Sequence, residues 1–326
     1  LSNSTGSKLD DLVGLSSAKH LVRRLAADDR GIHAILLYGA KGTGKSKLAE
    51  IIAELWLCNG ITSEGADGSC RACNAFGRGN SPDVLNVVPW GKSSIITVKT
   101  IVNDVIKDED PPLPLLKFFR TPPLFSRHKV ALLHDAHRMN YIAANALLKT
   151  LEEPHSHAKL ILTTNSVGSL LPTILSRCLA VACESPGVSE LQSAFPDATQ
   201  DEIRLSEGTP GRLTTMTQRR EVYLRLLEFA RRLPNRHVGE ALVASEEFAS
   251  IAEAFQVNSE VNARAANAEA LDALATFFAR EPTAPPHWTH LIINAHRRIL
   301  GNGGPSIVFD ALFTAMLASA ATSTGR

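Results

Sequence analysis

Between residue 9 and about residue 183, short apolar runs alternate with stretches whose apolar residues recur every three or four positions. Ala34-Ile-Leu-Leu-Tyr38, Val84-Leu-Asn-Val-Val88, Val130-Ala-Leu-Leu133 and Lys159-Leu-Ile-Leu-Thr163 are nearly continuous apolar runs, the pattern of strands buried on both faces. Over 46–58, Leu48, Ile51, Ile52, Leu55 and Trp56 recur at helical spacing, and 140–153 carries a second clear helical pattern. Strand and helix in alternation predict an α/β fold with a parallel sheet covered on both sides. Ser185-Pro-Gly187 breaks this rhythm, and the short helical piece that follows, to about 217, reads as a small helical lid. Beyond it no strand pattern recurs. Helices are expected near 217–233, 238–256, 259–280, 286–301 and 306–319, punctuated by Pro234, Pro282, Pro285, Pro286 and Gly303-Gly-Pro305. The expected division is therefore 1–184, 185–216 and 217–326. The segment 108–120, from Asp108-Glu-Asp-Pro-Pro to Leu115-Leu-Lys-Phe-Phe119, reads as a surface loop.

Composition narrows the class. The 326 residues are 44% hydrophobic and 21% charged, ordinary for a globular chain of two or three domains. A net charge of +1 leaves no global electrostatic footprint for nucleic acid, so any DNA contact is local or shared with partners. No apolar stretch is long enough to span a membrane, and the start, Leu1 to Lys8, lacks an apolar signal core. The expectation is a cytoplasmic protein without a membrane partner. Five cysteines, three of them at 58, 70 and 73, favour a metal over a disulfide framework in that compartment.

Gly39-Ala-Lys-Gly42-Thr-Gly44-Lys45-Ser46 fits GxxxxGK[ST] between an apolar strand and an amphipathic helix. Glycines at these places let backbone N–H groups converge on a phosphate. Lys45 reaches the terminal phosphates of ATP and Ser46 ligates Mg2+. The strand Lys129 to Leu133 runs into His134-Asp135-Ala136-His137, where a hydrolytic site normally ends in adjacent Asp and Glu. Two assignments fit: Asp135 supports the magnesium and no base exists, or it stands in the base position and His134 replaces the other carboxylate. Either way, self-sufficient hydrolysis is not expected. His134 and His137 read as hydrogen-bonded strand-end histidines rather than metal ligands.

Three strings, Gly39 to Ser46, Asn145-Ala-Leu-Leu-Lys-Thr-Leu-Glu-Glu-Pro154 and Ser176-Arg177-Cys178, together resemble the bacterial DNA polymerase III clamp loader subunits of the AAA+ superfamily. The likeness runs through most of 9–183, continues through Gly208-Thr-Pro-Gly-Arg212, and reappears weakly over Ala295 to Leu312, where Asn302 and Pro305 match a collar pattern. The resemblance implies an AAA+ module, a lid and a helical collar that assembles with gamma/tau and delta subunits into a hetero-pentameric ring. That ring opens the sliding clamp and loads it onto primer-template DNA. Two subunit types share these strings: the gamma/tau ATPase, and delta-prime, a stator carrying an arginine finger. The missing Asp-Glu pair at 134–135 sides with delta-prime, as does a chain that stops at Arg326. The alternatives are a gamma-like ATPase that hydrolyses its own nucleotide with Asp135, and a scaffold that binds no nucleotide.

Carried over by motif, Arg177 is the finger that completes a neighbour's site, Asn165 is the first sensor, and Arg212 is the second. The bland readings are a solvated arginine, an asparagine capping a turn, and an arginine paired with Glu207. The same subunits carry four zinc-binding cysteines spaced C-x8-C-x2-C-x2-C. Cys58, Cys70 and Cys73 match, and Asp67 stands where the second cysteine belongs. Three thiolates and a carboxylate are a chemically possible zinc shell; the competing expectation is a loop emptied by loss of one thiolate. Cys178 and Cys183 flank a strand-like run and read as packed thiols.

Overall fold

The computed structural model describes residues 9–28, 31–62, 65–90, 94–102, 114–256, 263–282 and 284–323. The start, 1–8, and the proline-rich part of the 108–120 segment, 108–113, lie outside these residues. The contact pattern divides the chain into two units. One reaches to Pro196 and includes Thr209–Gly211; the other holds Asp197–Gly208 and Arg212 onward.

In the first unit the elements follow in the order α1 (Ser16–Ala27), β1 (Ala34–Tyr38), α2 (Lys45–Leu57), α3 (Arg71–Gly77), β2 (Val84–Val87), α4 (Val98–Val102) and α5 (Leu115–Phe119). Then come β3 (Lys129–Leu133), α6 (Tyr141–Glu152), β4 (Ala158–Thr164), α7 (Pro172–Leu175), β5 (Leu179–Ala182) and α8 (Val188–Ala194). Among the described residues the strands form one sheet of order β2-β3-β4-β1-β5, and every pairing is parallel. Successive strand residues point to opposite faces, and both faces are covered. Ile35, Leu37, Val130, Leu132 and Ile161 pack with Leu48, Ile52 and Trp56 of α2. Their neighbours Ala34, Leu36, Ala131, Leu133, Leu160 and Leu162 pack with Leu147 and Leu151 of α6. The α/β expectation therefore holds, and the continuous apolar runs have their physical cause in burial on two sides.

Two local departures are informative. The fifth strand, noted only as strand-like, pairs with β1 through Ile35↔Leu179 to Tyr38↔Ala182; as a four-residue edge strand with two exposed residues it carries a weak pattern. Leu115–Phe119, expected within a loop, forms a short helix because Leu115, Phe118 and Phe119 bury their side chains in the core of the α6 face.

The second unit contains α9 (Gln200–Leu205), α10 (Pro210–Gln218, from Arg212), α11 (Arg220–Arg232), α12 (Ala241–Ala254), α13 (Ala263–Ala279), α14 (His287–Leu300) and α15 (Pro305–Ser323). No strand occurs among its described residues. Its core is aromatic: Phe229, Phe248, Phe309 and Phe313 lie at ring separations of 5.0 to 5.7 Å. Trp288 is buried and donates its indole N–H to the Met316 carbonyl at 3.0 Å. The helix expected from 217 begins at Arg220, because α10 runs on to Gln218 and the backbone breaks at Arg219. No helix among the described residues is long and apolar enough to cross a membrane.

Candidate functional site

The glycine-rich loop lies where the parallel sheet makes strand ends converge. β1 ends at Tyr38, and Gly39 N–H donates to the carbonyl of Thr164, the last residue of β4, at 3.2 Å. On its other side the backbone presses on the residue after β5: a Cβ on Gly39 would stand 2.2 Å from the Cys183 carbonyl oxygen. Gly42 and Gly44 take left-handed φ values of 87° and 93°, and Gly44 opens α2. The Lys45 ammonium turns back into the loop, donating to the carbonyls of Gly39 at 2.9 Å and Ala40 at 2.6 Å. Burial lowers its pKa, opposed by the neighbouring Cys183 sulfur and the Asp135 carboxylate. Ser46, one residue on, is exposed in the first turn of α2. Gly211 N–H donates to the Gly42 carbonyl at 2.9 Å, and a Cβ on Gly211 would stand a tight 3.0 Å from that oxygen.

Beside the loop, β3 gives way to His134 and Asp135. Asp135 adopts a left-handed φ of 50° and is exposed, and its N–H donates to Thr163 Oγ1 at 3.3 Å. Its charge acts on both Lys45 and His137. The His134 ring lies 3.4 Å from Asn86 Oδ1, on the neighbouring β2, and burial lowers its pKa. His137 Nδ1 stands 3.3 Å from Thr164 Oγ1. Asp135 is thus the carboxylate on the lysine's side, and both histidines make the hydrogen bonds expected of strand-end residues. Asn165, exposed, follows directly on Thr164 and so adjoins Gly39.

Arg177 lies at the opposite edge of the sheet. It precedes β5, whose first residue Leu179 is level with Ile35, near the start of β1. Gly39 is four residues further along, about 13 Å at roughly 3.3 Å per residue, and Arg177 lies further back still. Its guanidinium makes an ion pair with Glu152 at the end of α6, 2.8 Å away, and donates to the Thr173 carbonyl at 3.0 Å.

Arg212 pairs within its own unit. Its guanidinium is 2.6 Å from Glu207 and 3.0 Å from Asp272, and it donates to Thr276 Oγ1 at 3.0 Å. The pairing with Glu207 is the bland alternative read from the sequence. Asp272 and Thr276 on α13 gave no sequence signal, being sixty and sixty-four positions away.

A separate cluster joins α2 to α3. Cys58 ends α2, and Cys70 caps the start of α3, which also carries Cys73. With Asp67 their ligand atoms lie within 4.8 Å of one another. Cys58 and Cys73 are buried, while Cys70 and Asp67 are half-buried. Asp67 Oδ1 accepts from the N–H groups of Cys70 and Ser69 at 3.1 Å each, and from the Cys58 thiol at 3.3 Å. The hydrogen bond from Cys70 leads in holding its carboxyl well below the usual carboxylate range. Gly60 makes room for it: a Cβ there would stand 2.6 Å from Asp67 Oδ2. Three sulfurs and one oxygen gathered this closely fit a tetrahedral zinc ion, whose thiolate ligands lie about 3.8 Å apart at ~2.3 Å Zn–S bonds.

Sequence reasoning passed over three residues here. Glu54 is buried beside Cys73 and Asp67, and burial raises its pKa; a lone Glu in the apolar run Ile51 to Leu57 was the available signal. Glu152 was in view only as part of a motif. Asp83, fully buried, accepts from the N–H groups of Leu124, Phe125 and Ser126 at 2.7 to 3.0 Å, and nothing local marks it. Cys178 and Cys183 are packed thiols, pushed up by burial to about 12 and about 11.

Comparison with known proteins matches residues 15–186 to the family described as DNA polymerase III, delta subunit. The DNA polymerase III subunit delta' of Pseudomonas aeruginosa is 39% identical over 186 residues, covering 55% of this chain and 53% of that protein. The delta' subunit of Bacillus subtilis is 35% identical over 150 residues, 46% of this chain and 41% of that protein. The tau/gamma subunit of Haemophilus influenzae is 32% identical over 173 residues, 52% of this chain and 22% of that protein. The matches thus span about half the length of these relatives or less. A gamma subunit-related protein of Thermotoga maritima superposes with a TM-score of 0.55 at 17% identity, over 93% of this chain and 99% of that one, a likeness of fold.

Proposed function

The chain belongs to the DNA polymerase III, delta subunit family, and from that premise we propose that it is a delta-prime-like clamp loader subunit. In this role it is a stator that donates Arg177 to a neighbour's ATP during loading of the sliding clamp onto primer-template DNA. Its AAA+ fold supplies the frame. The coarser statement, a subunit of the clamp-loader group formed by delta', gamma and tau, rests on the relatives. The ring with gamma/tau and delta, the clamp and the DNA are part of the proposal, as is the division of labour among 1–184, 185–216 and 217–326.

The observation that carries the reading is the placement of Arg177. Parallel strands put it at the N-terminal edge of the sheet and the glycine-rich loop at the C-terminal edge. An arginine side chain does not span that distance, so if Arg177 serves a nucleotide, it serves one held by another subunit. An arginine supplied in trans stabilises transition-state charge and contributes 10³ to 10⁵ in rate in well-studied cases.

The chain's own loop binds ATP in this reading. Gly39, Gly42 and Gly44 shape the phosphate cradle, Lys45 leaves the Gly39 and Ala40 carbonyls for the terminal phosphates, Ser46 ligates Mg2+, and Asp135 supports that ion. Asn165 beside Gly39 orients the terminal phosphate. Arg212, paired with Glu207 and Asp272, is the candidate for the second sensor. With one carboxylate on Lys45's side and His134 turned to Asn86, hydrolysis is left to neighbours. Cys58, Asp67, Cys70 and Cys73 hold a structural zinc, which would fix α3 and its flanking loop to the end of α2.

The test is primer-template-stimulated ATPase of a loader reconstituted with gamma/tau and delta subunits. Arg177→Ala should assemble normally and lower the stimulated rate tenfold or more, about 1.4 kcal/mol in transition-state terms. Normal assembly with an unchanged rate refutes the finger role.

A further inference from the structure

The cysteine cluster can do more than hold a metal. Its three sulfurs lie within 4.8 Å of one another, but they are not equivalent. The sulfur of Cys58 is tied down: it accepts from the N–H groups of Gly60 and Asp67 at 3.3 Å each and faces Asp67 Oδ1 at 3.3 Å. Cys70 and Cys73 share the first turn of α3, and Cys73 N–H donates to Cys70 Sγ at 3.5 Å. Side chains three apart on a helical turn face one another. Cys70 is half-buried, whereas Cys58 and Cys73 are 0% and 2% exposed. A small oxidant therefore meets Cys70 first, and Cys73 is the partner best placed to close on it.

We infer that Cys70 and Cys73 are a redox pair that closes to a disulfide under hydrogen peroxide and expels any metal ion the cluster holds. The inference rests on the zinc reading above only for the metal's departure. In the first step the Cys70 sulfur attacks peroxide, the O–O bond breaks, and hydroxide leaves, giving a sulfenic acid. In the second, the Cys73 sulfur attacks the Cys70 sulfur, the S–O bond breaks, and a second hydroxide leaves. Two electrons pass from the two sulfurs to peroxide, and with two protons the products are one disulfide and two waters. Asp67 gives this step its consequence. In a four-cysteine site, closure would leave two thiolates; here it leaves two of zinc's four donors, the Cys58 thiolate and one carboxylate, a weaker pair for a metal that prefers thiolates in structural sites. Metal release then accompanies closure, and reduction by a dithiol restores the site.

The experiment uses the full chain reconstituted with one equivalent of zinc and titrated with hydrogen peroxide. A chromophoric chelator reports free zinc, and non-reducing peptide mapping locates the disulfide. The expected result is one zinc released per disulfide, a Cys70–Cys73 linkage with loss of two hydrogen atoms, and rebinding after dithiothreitol. The linkage should persist in Cys58→Ser and vanish in Cys70→Ser. A disulfide that includes Cys58, zinc retained after closure, or over-oxidation without a disulfide overturns the inference. A chain that takes up no zinc refutes the metal reading instead, and the disulfide map of that chain still decides whether Cys70 and Cys73 pair.

Discussion

Glu152 Oε1 lies 2.8 Å from a guanidinium nitrogen of Arg177, joining the end of the helix in the Leu-Leu-Lys-Thr-Leu-Glu-Glu string to the arginine of Ser-Arg-Cys. The two residues are 25 positions apart in the chain and meet at the N-terminal edge of the sheet because α6 runs antiparallel to the strands it covers. Both side chains are partly exposed, at 34% and 50%, so the pair contributes at most about 1 kcal/mol to stability. Its consequence is positional: the arginine has an acceptor of its own, for which the nucleotide of the proposed neighbour would have to compete.

Glu152→Gln should therefore change unfolding free energy by less than about 1 kcal/mol while leaving stimulated hydrolysis in the reconstituted loader at or above the wild-type rate. Denaturant unfolding and ATPase on the same preparation check both halves. A tenfold loss of rate with stability intact would mean that Glu152 positions the arginine rather than competing for it.

Gly39→Ala places a methyl group 2.2 Å from the Cys183 carbonyl, and backbone must shift to relieve it. The expected cost is about 1 to 3 kcal/mol, together with loss of saturable binding of a fluorescent ATP analogue. Gly168→Ala, where a Cβ meets nothing within 4 Å, is the control, expected within ~0.5 kcal/mol of wild type.

The proposed zinc site should depend on a carboxylate held in place by a glycine. Asp67→Ala is expected to lower zinc affinity tenfold or more in competition with a chromophoric chelator, and Asp67→Cys to retain or strengthen it. Gly60→Ala should weaken it as well, by displacing Asp67 Oδ2. Equal affinity in all four proteins would remove Asp67 from the ligand set.

Burial lowers the pKa of His134 in the folded chain below its unfolded value of about 6.5. As pH falls past that unfolded value, the unfolded state takes up the proton first, so stability is full above it and is lost as pH drops toward the folded pKa. Urea midpoints measured from pH 7.5 to 5 should fall less in His134→Gln than in wild type. Parallel curves would mean that other groups carry the acid sensitivity.

Much of the sheet and of the loop was legible in the sequence, for reasons that are local. Strands buried on two faces announce themselves as apolar runs, and Gly39 to Ser46 is a contiguous motif whose strand and helix flank it. The helical pattern over 140–153 is the helix Tyr141–Glu152, with Asn140 not its first residue but its cap, accepting from Ala143 N–H at 2.8 Å. What was not legible depends on distant partners. β5 is half exposed and owes its existence to pairing with β1; the Arg212 guanidinium is held from α13, some sixty residues on; and Asp83 serves a turn forty residues away. The helix at Leu115–Phe119 followed the same rule, since its neighbouring prolines suggested a loop and its burial decided otherwise.

The central claim is that this chain serves a neighbour's nucleotide rather than turning over its own. It is tested most directly by comparing Lys45→Ala and Arg177→Ala in the same reconstituted loader under primer-template stimulation. The account predicts that Arg177→Ala loses tenfold or more in ATPase while Lys45→Ala stays within about twofold, a difference of ~1 kcal/mol. The reverse order, with the Lys45 variant silent and the Arg177 variant near wild type, would contradict it and make the chain an ATPase in its own right.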